Sequence, residues 1–267
     1  MFKISIVTPS FNQAPYLRRT IESVLNQEVD LEYIIMDGCS TDGSADILRE
    51  YDSRARIIIE KDRGQADAIS KGFSLATGDI LAWLNSDDMY LPGALAKVIS
   101  AFQQGEEFFY GNVLIVDKQD KVLRNRVALR IDFNDLYYGM YVIPQEATFF
   151  SRRLYRECGG VNPDYTYAMD YDLWLRMAKI VPPRMLDAYL ACFRFHEGQK
   201  SSRTALYAHE AMEARKNLAD APPVTPLMVW RTMLALKIRK LAANIAESGI
   251  RKTVADVVGK KTGRLPK

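Results

Sequence analysis

Five consecutive apolar residues, Ile80-Leu-Ala-Trp-Leu84, follow the turn residue Gly78 and end in Asn85-Ser-Asp-Asp88. A strand that is apolar at every position has both faces covered, the condition of a central strand in a parallel sheet flanked by helices. In open sheets of this kind ligands bind outside the carboxyl ends of the strands, which is where Asp87 and Asp88 fall. Two adjacent hard oxygen donors can hold a divalent cation against substrate phosphates. The same acids can equally be turn formers and dipole partners of the next helix, marked by Leu91, Leu95, Val98, Ile99 and Phe102 with Pro92 in its first turn. These residues alone leave both readings open.

The preceding segments repeat the strand-then-helix pattern. Residues 4 to 7 read as a strand, and Leu17, Ile21, Val24 and Leu25 fall at helical spacing. Asn12, in the loop between them, is expected to cap that helix. Residues 32 to 36 form a second strand ending at Asp37-Gly38, and residues 57 to 59 a third. Ile69, Gly72, Phe73 and Ala76 give a further helical face, with Gly78 as the expected stop. Such alternation predicts a mainly parallel sheet with helices on both faces. Neither G-x-G-x-x-G nor G-x-x-x-x-G-K-[ST] is present, so a dinucleotide fold and a P-loop are not indicated. A cation on Asp87 and Asp88 is the available means of neutralising phosphate.

After residue 105 the alternation fails. Residues 108 to 127 read as a hairpin, and residues 145 to 150 as a strand leading into a helix that stops at Gly159-Gly160. Leu173, Trp174, Met177, Ala178 and Val181 then share one helical face, with Asp170 at or just before the helix start. Asp170 is either an N-cap or a general base kept ionised by the helix dipole. His196, one of two histidines, lies in a polar loop and not in an apolar stripe. Residues 203 to 219 form a helix, Ala221-Pro-Pro-Val-Thr-Pro226 is a breaker, and a basic helix begins near Leu227.

Three scattered cysteines without a C-x-x-C pair exclude a disulfide framework and a structural zinc site, and favour a reducing cytoplasm. The amino terminus enters a strand directly, so no cleavable leader is expected, and no stretch is apolar enough to span a bilayer. Residues 223 to 267 carry ten Lys and Arg against Glu247 and Asp256, leaving the first 222 residues at −5 within a total of +3. An acidic body with a basic tail predicts an anionic surface as the partner of the tail, and no nucleic acid. Leu227, Trp230, Leu234, Ile238, Leu241 and Ile245 share one helical face flanked by Arg231 and Lys237, a composition suited to lying on a membrane or packing on protein.

Together these segments resemble a family 2 glycosyltransferase of GT-A fold. The resemblance covers residues 1 to 205 and rests on Ser5-Ile-Val-Thr-Pro-Ser-Phe-Asn12, Ile34-Ile-Met-Asp-Gly-Cys-Ser-Thr-Asp-Gly43, Asp62-Arg-Gly-Gln65 with Ala76-Thr-Gly-Asp79, Asn85-Ser-Asp-Asp88, Asp170-Tyr-Asp-Leu-Trp-Leu-Arg176 and Phe193-Arg-Phe-His196. Asn85 stands where many relatives have Asp, Met169 where many have Glu, and Gln65 where some have Lys. The resemblance implies a nucleotide-binding half (1–105), an acceptor half (106–205) and a helical basic extension (206–267). It implies that Pro9, Phe11, Asp37, Asp62, Gly64 and Asp87 serve the nucleotide. Asp87, Asp88 and His196 would hold Mn²⁺ or Mg²⁺, and Asp170 would be the base of an inverting transfer. The expected donor is a nucleotide sugar, UDP-linked by preference. The expected acceptor is lipid-linked or polysaccharide, met at the cytoplasmic membrane face, with homo-oligomerisation open. A non-catalytic scaffold of the same fold is the alternative, and a nucleotidyltransferase is disfavoured by the lack of a basic triphosphate loop.

Overall fold

The structure is a computed structural model that describes residues 2–258. Strands β1 (Ile4–Ser10), β2 (Leu31–Asp37), β3 (Arg56–Ile59) and β4 (Ile80–Trp83) alternate with helices α1 (Ala14–Leu25), α2 (Ser44–Arg49) and α3 (Gln65–Leu75). β1 pairs in parallel with β2 and β4, and β2 with β3, so four carboxyl ends open along one edge. The side chains explain the two layers. Ile4, Ile6, Ile80 and Ala82 pack with Leu17 and Ile21 of α1, while Val7, Leu81 and Trp83 pack with Ile69 and Phe73 of α3. With both faces covered, each strand reads as an unbroken apolar run.

Beyond β4 follow β5 (Met89–Tyr90), α4 (Ala94–Phe102), β6 (Phe108–Val116), β7 (Val122–Arg126), α5 (Phe133–Tyr137), a 3₁₀ turn (Gln145–Ala147), β8 (Thr148–Ser151), α6 (Arg152–Glu157), α7 (Met169–Ile180) and β9 (Arg184–Arg194). The sheet runs β3-β2-β1-β4-β8-β6-β9-β5, with β7 paired to β6. β8 is antiparallel to both β4 and β6, and β5 to β9, whereas β6 and β9 run parallel. The mainly parallel character thus belongs to the first four strands, and the second half is mixed. A short turn such as the one joining β6 to β7 cannot supply a crossover, so that pair is antiparallel.

The chain ends in α8 (Thr204–Asn217) and α9 (Pro226–Val258). Ala211 and Ala214 of α8 and Leu236 of α9 share one buried cluster with Trp174 of α7 and Tyr137 of α5. The extension expected from residue 206 therefore starts with a helix built into the core. α9 docks through Leu236 and through Arg239, which donates to the Arg130 carbonyl at 2.7 Å and pairs with the buried Asp135. Gly139 permits this approach, because a Cβ there would meet Leu236 Cδ1 at 2.4 Å.

Three local expectations are corrected. α1 starts after Gln13, and Asn12 sits in the left-handed region (φ 52°) with its Oδ1 accepting from Thr41 N–H, so it joins two loops and caps nothing. α3 ends at Leu75 with Ala76 extended. Gly78 is no helix stop. It crosses β1 so closely that a Cβ would lie 2.7 Å from Ser5 N. Pro92 precedes the Gly93 cap of α4 and does not open its first turn.

Candidate active site

A cleft of about 830 Å³ opens at the carboxyl ends of β1 to β4 and extends beneath α7 and α8. On the wall expected to serve a nucleotide, Phe11 stands 60% exposed, Pro9 lies beneath the rim, and the Asp62 carboxylate accepts from Gly64 N–H at 2.8 Å. Asp37 does not reach this wall. Only 1% exposed, its carboxylate accepts from Ser10 Oγ at 2.9 Å, Ser40 N at 2.8 Å and Ser40 Oγ at 2.7 Å, which ties two loops together under the cleft.

Asp87 and Asp88 leave β4 through a tight turn and line the cleft. Arg194, the last residue of β9, lies wholly buried behind them. It donates Nε–H to the Asp87 carbonyl at 2.8 Å and its backbone N–H to Asp88 Oδ1 at 3.0 Å, and pairs with Asp120. The carboxyl of Asp88 is nevertheless held well above the usual range, by burial first and then by the charges of Asp87 and Glu146. His196 places Nε2 3.0 Å from Asp87 Oδ2 and Nδ1 2.9 Å from the Glu197 carbonyl. Both partners are acceptors, so both nitrogens are satisfied only in the imidazolium form. The hydrogen bond to Asp87 accordingly raises its pKa.

The expected metal trio is therefore incomplete as a ligand set. Among the described residues no three His, Cys, Asp or Glu side chains are grouped to hold a metal. His196 is spent on Asp87, and one oxygen of Asp88 is spent on Arg194. The two carboxylates still fit a divalent ion of the kind that takes one or two protein oxygens and fills its remaining positions with phosphate and water.

Asp170 lies in the first turn of α7 and lines the cleft. It is not the cap. Ala168 holds that position without a side-chain bond, and Glu210 of α8 holds the segment leading into the helix, accepting from the backbone N–H groups of Thr166, Tyr167 and Ala168 at 2.6 to 3.2 Å. The Asp170 carboxyl is pushed up to about 7 because protein surrounds it on the cleft floor, against a 2.7 Å hydrogen bond from Tyr171 N–H. Trp83 of β4 stacks on Trp174 of α7 with ring centroids 5.3 Å apart, fixing the acidic turn and Asp170 to one rigid core.

Several cleft residues carry no sequence signal of their own. Glu146, Arg126 and Tyr207 line the cleft, and Glu146 is only 3% exposed. Gln145 was visible only as part of a strand. Its Nε2 donates to the Trp83 carbonyl at 2.7 Å, and Asn85 donates to its Oε1 at 3.0 Å.

The sequence model described as glycosyl transferase family 2 matches residues 5–159, more than half of the chain. The chain belongs to this family. An uncharacterized glycosyltransferase of Nostoc sp. is 35% identical over 127 residues, which cover 45% of this chain and 39% of that protein. The chain spans 36 to 39% of the length of that relative and of two further glycosyltransferases from Rickettsia. Among solved structures, S. aureus TarS 1-349 in complex with UDP-GlcNAc superposes with a TM-score of 0.66 at 15% identity, covering 90% of this chain and 73% of that one. The mannosyltransferase PcManGT from Pyrobaculum calidifontis, in complex with GDP-Man and Mn²⁺, gives 0.65 at 18% identity, covering 97% and 81%. The chain therefore has the GT-A fold, and its family match ends at residue 159. Asp170, His196 and α8 lie beyond that match.

Proposed function

We propose that the protein transfers a sugar from a nucleoside diphosphate sugar, UDP-linked by preference, to a hydroxyl of a lipid-linked or polysaccharide acceptor with inversion of configuration. The observation that carries this reading is one cleft with the Asp87–Asp88 pair on one side and the lifted carboxyl of Asp170 on another. A single displacement needs one group to receive the acceptor proton and a stabilised leaving group opposite it. Asp170 takes the proton as the acceptor oxygen attacks the anomeric carbon, and the bonding pair of the breaking C–O bond departs on the β-phosphate. Asp87 and Asp88 would hold Mn²⁺ or Mg²⁺, which when bound supplies positive charge to that phosphate. His196, hydrogen-bonded to Asp87, would add positive charge at the same corner when protonated. Pro9, Phe11, Asp62 and Gly64 bound the nucleotide, while Asp37 supports it by holding the loop.

The exposed side of α9 supports the acceptor class. Leu227, Trp230, Ile238 and Leu241 are each 60 to 63% exposed on the face opposite Leu236, and Arg231 and Lys237 flank them. This suits an anionic membrane surface, with the cations snorkelling to headgroups. Ile245 and residues 259–267, also assigned to that surface, lie outside the described side chains. No helix among the described residues is long and apolar enough to cross a membrane.

Calorimetric titration of UDP, GDP and dTDP with and without Mn²⁺, followed by transfer assays of Asp170→Asn, tests the proposal. Metal-dependent binding of one nucleotide, with transfer lost in the variant and nucleotide affinity kept, is expected. Full transfer by Asp170→Asn overturns the base assignment, and no binding of any nucleotide overturns the donor reading.

A further inference from the structure

Buried polar atoms without a hydrogen-bond partner are rare in native proteins, so their positions are informative. Among the described residues, three such atoms belong to side chains that line the same cleft: Trp83 Nε1, Glu146 Oε1 and the Tyr207 hydroxyl. They come from β4, from the 3₁₀ turn before β8, and from α8, elements far apart in sequence. Glu146 is the most telling. Its nearest cation, Arg126, stands at 3.9 Å, an ion-pair distance beyond hydrogen-bond reach. The side chain of the preceding residue, Gln145, is held by Trp83 and Asn85, so the turn is fixed beside the acidic motif.

Position limits what could satisfy these atoms. Gln145 ties the turn bearing Glu146 to Asn85 of the acidic motif and to Trp83, whose ring stacks on Trp174 of the helix that carries Asp170. Tyr207 lies on α8, the helix whose Glu210 binds the backbone leading into that same helix. In a displacement with inversion the transferred ring lies between the leaving phosphate and the base, because attack comes from the face opposite the departing bond. A sugar ring also carries what the three atoms lack: hydroxyls that donate and accept in several directions.

We infer that Glu146 Oε1, with Trp83 Nε1–H and the Tyr207 hydroxyl, forms the site that reads the hydroxyl groups of the transferred sugar, making Glu146 a donor-specificity residue. This rests on the proposed transfer from a nucleoside diphosphate sugar. Glu146 accepts from one ring hydroxyl, Trp83 donates to an oxygen, and Tyr207 can do either. A site built around such groups rejects an analogue lacking the matching hydroxyl, because the protein atom is again left unpaired.

The test is acceptor-independent hydrolysis of UDP-glucose, UDP-galactose, UDP-N-acetylglucosamine and UDP-N-acetylgalactosamine, and of the monodeoxy analogues of whichever is best. Wild type, Glu146→Gln, Glu146→Ala and Tyr207→Phe are compared, with UDP affinity measured alongside. Wild type is expected to discriminate against one deoxy analogue by about 100-fold or more in kcat/KM. In Glu146→Ala that ratio should collapse to within about tenfold, mainly through loss on the parent sugar, while UDP still binds. The isosteric Glu146→Gln keeps the turn filled and should relax the same position. A merely structural Glu146 would lower all donors alike. Unchanged discrimination at every hydroxyl in both variants, with UDP bound, overturns this inference alone. Wild type that neither binds UDP nor hydrolyses any of the four donors overturns the proposed function, and this inference with it.

Discussion

Asp170 combines a lifted pKa with a place in the first turn of a helix, and the two have opposite consequences for stability and for activity. The unfolded carboxyl ionises near 3.8 and the folded one near 7, so between these values the folded state binds the extra proton. Stability therefore falls as pH rises from about 4 to about 7 and levels off above. Asp170→Asn removes that penalty, and urea unfolding should show the variant more stable by about 1–2 kcal/mol at pH 8, allowing for screening by cleft water, with little gain at pH 4. Activity has the reverse sign, because the base must be ionised. The kcat/KM of the wild type is expected to rise with pH and reach half its maximum near 7, and a flat profile from pH 5.5 to 8.5 would count against Asp170. At this scale the sequence exposed residues that break a local pattern: adjacent acids ending an apolar run, an acid opening a helix, a histidine in a polar loop. It could not expose Glu146 or Tyr207, since a Glu before a strand and a Tyr on a helix are ordinary and acquire meaning only from what surrounds them. For Asp37 it pointed to the right loop, but three hydrogen bonds turn that carboxylate inward.

The helix bearing Asp170 is secured from another helix. Ala168 offers no side-chain cap, and Glu210 takes the backbone N–H groups of Thr166, Tyr167 and Ala168, which lead into α7. Glu210→Ala should leave those donors unsatisfied and cost about 1–2 kcal/mol in thermal or urea unfolding, while loosening Asp170 and lowering kcat more than donor affinity. Glu210→Gln keeps one acceptor and should fall between the two. Loss of donor affinity with kcat intact would place the role of Glu210 elsewhere. Capping is readable from sequence when the cap immediately precedes its helix. A side chain some forty residues downstream that holds the lead-in to a helix is not, which is why Asp170 looked like a cap and is not one.

Over the whole molecule, α9 presents one face to the core through Leu236 and Arg239 and leaves Leu227, Trp230, Ile238 and Leu241 uncovered. The wild type is expected to co-sediment with vesicles containing phosphatidylglycerol and to release as salt rises, since part of the attraction is screened charge. Trp230→Asp with Ile238→Asp should abolish sedimentation while leaving Tm within a few degrees, because both side chains are more than half exposed. Undiminished sedimentation of that variant would end the membrane reading. What the sequence by itself determined was the α/β class, the order of the first four strands and helices, the acidic turn at 87–88 and the amphipathic tail. Each is written in contiguous residues, because periodicity and chain-local turns report burial directly. Only the tertiary structure decided that the second half of the sheet is mixed and that α8 belongs to the core. It also decided that His196 pairs with Asp87, and that Glu146 and Tyr207 leave unpaired atoms in the cleft. These depend on which residues distant in sequence come within hydrogen-bond distance, and long-range packing sets that distance where local spacing cannot.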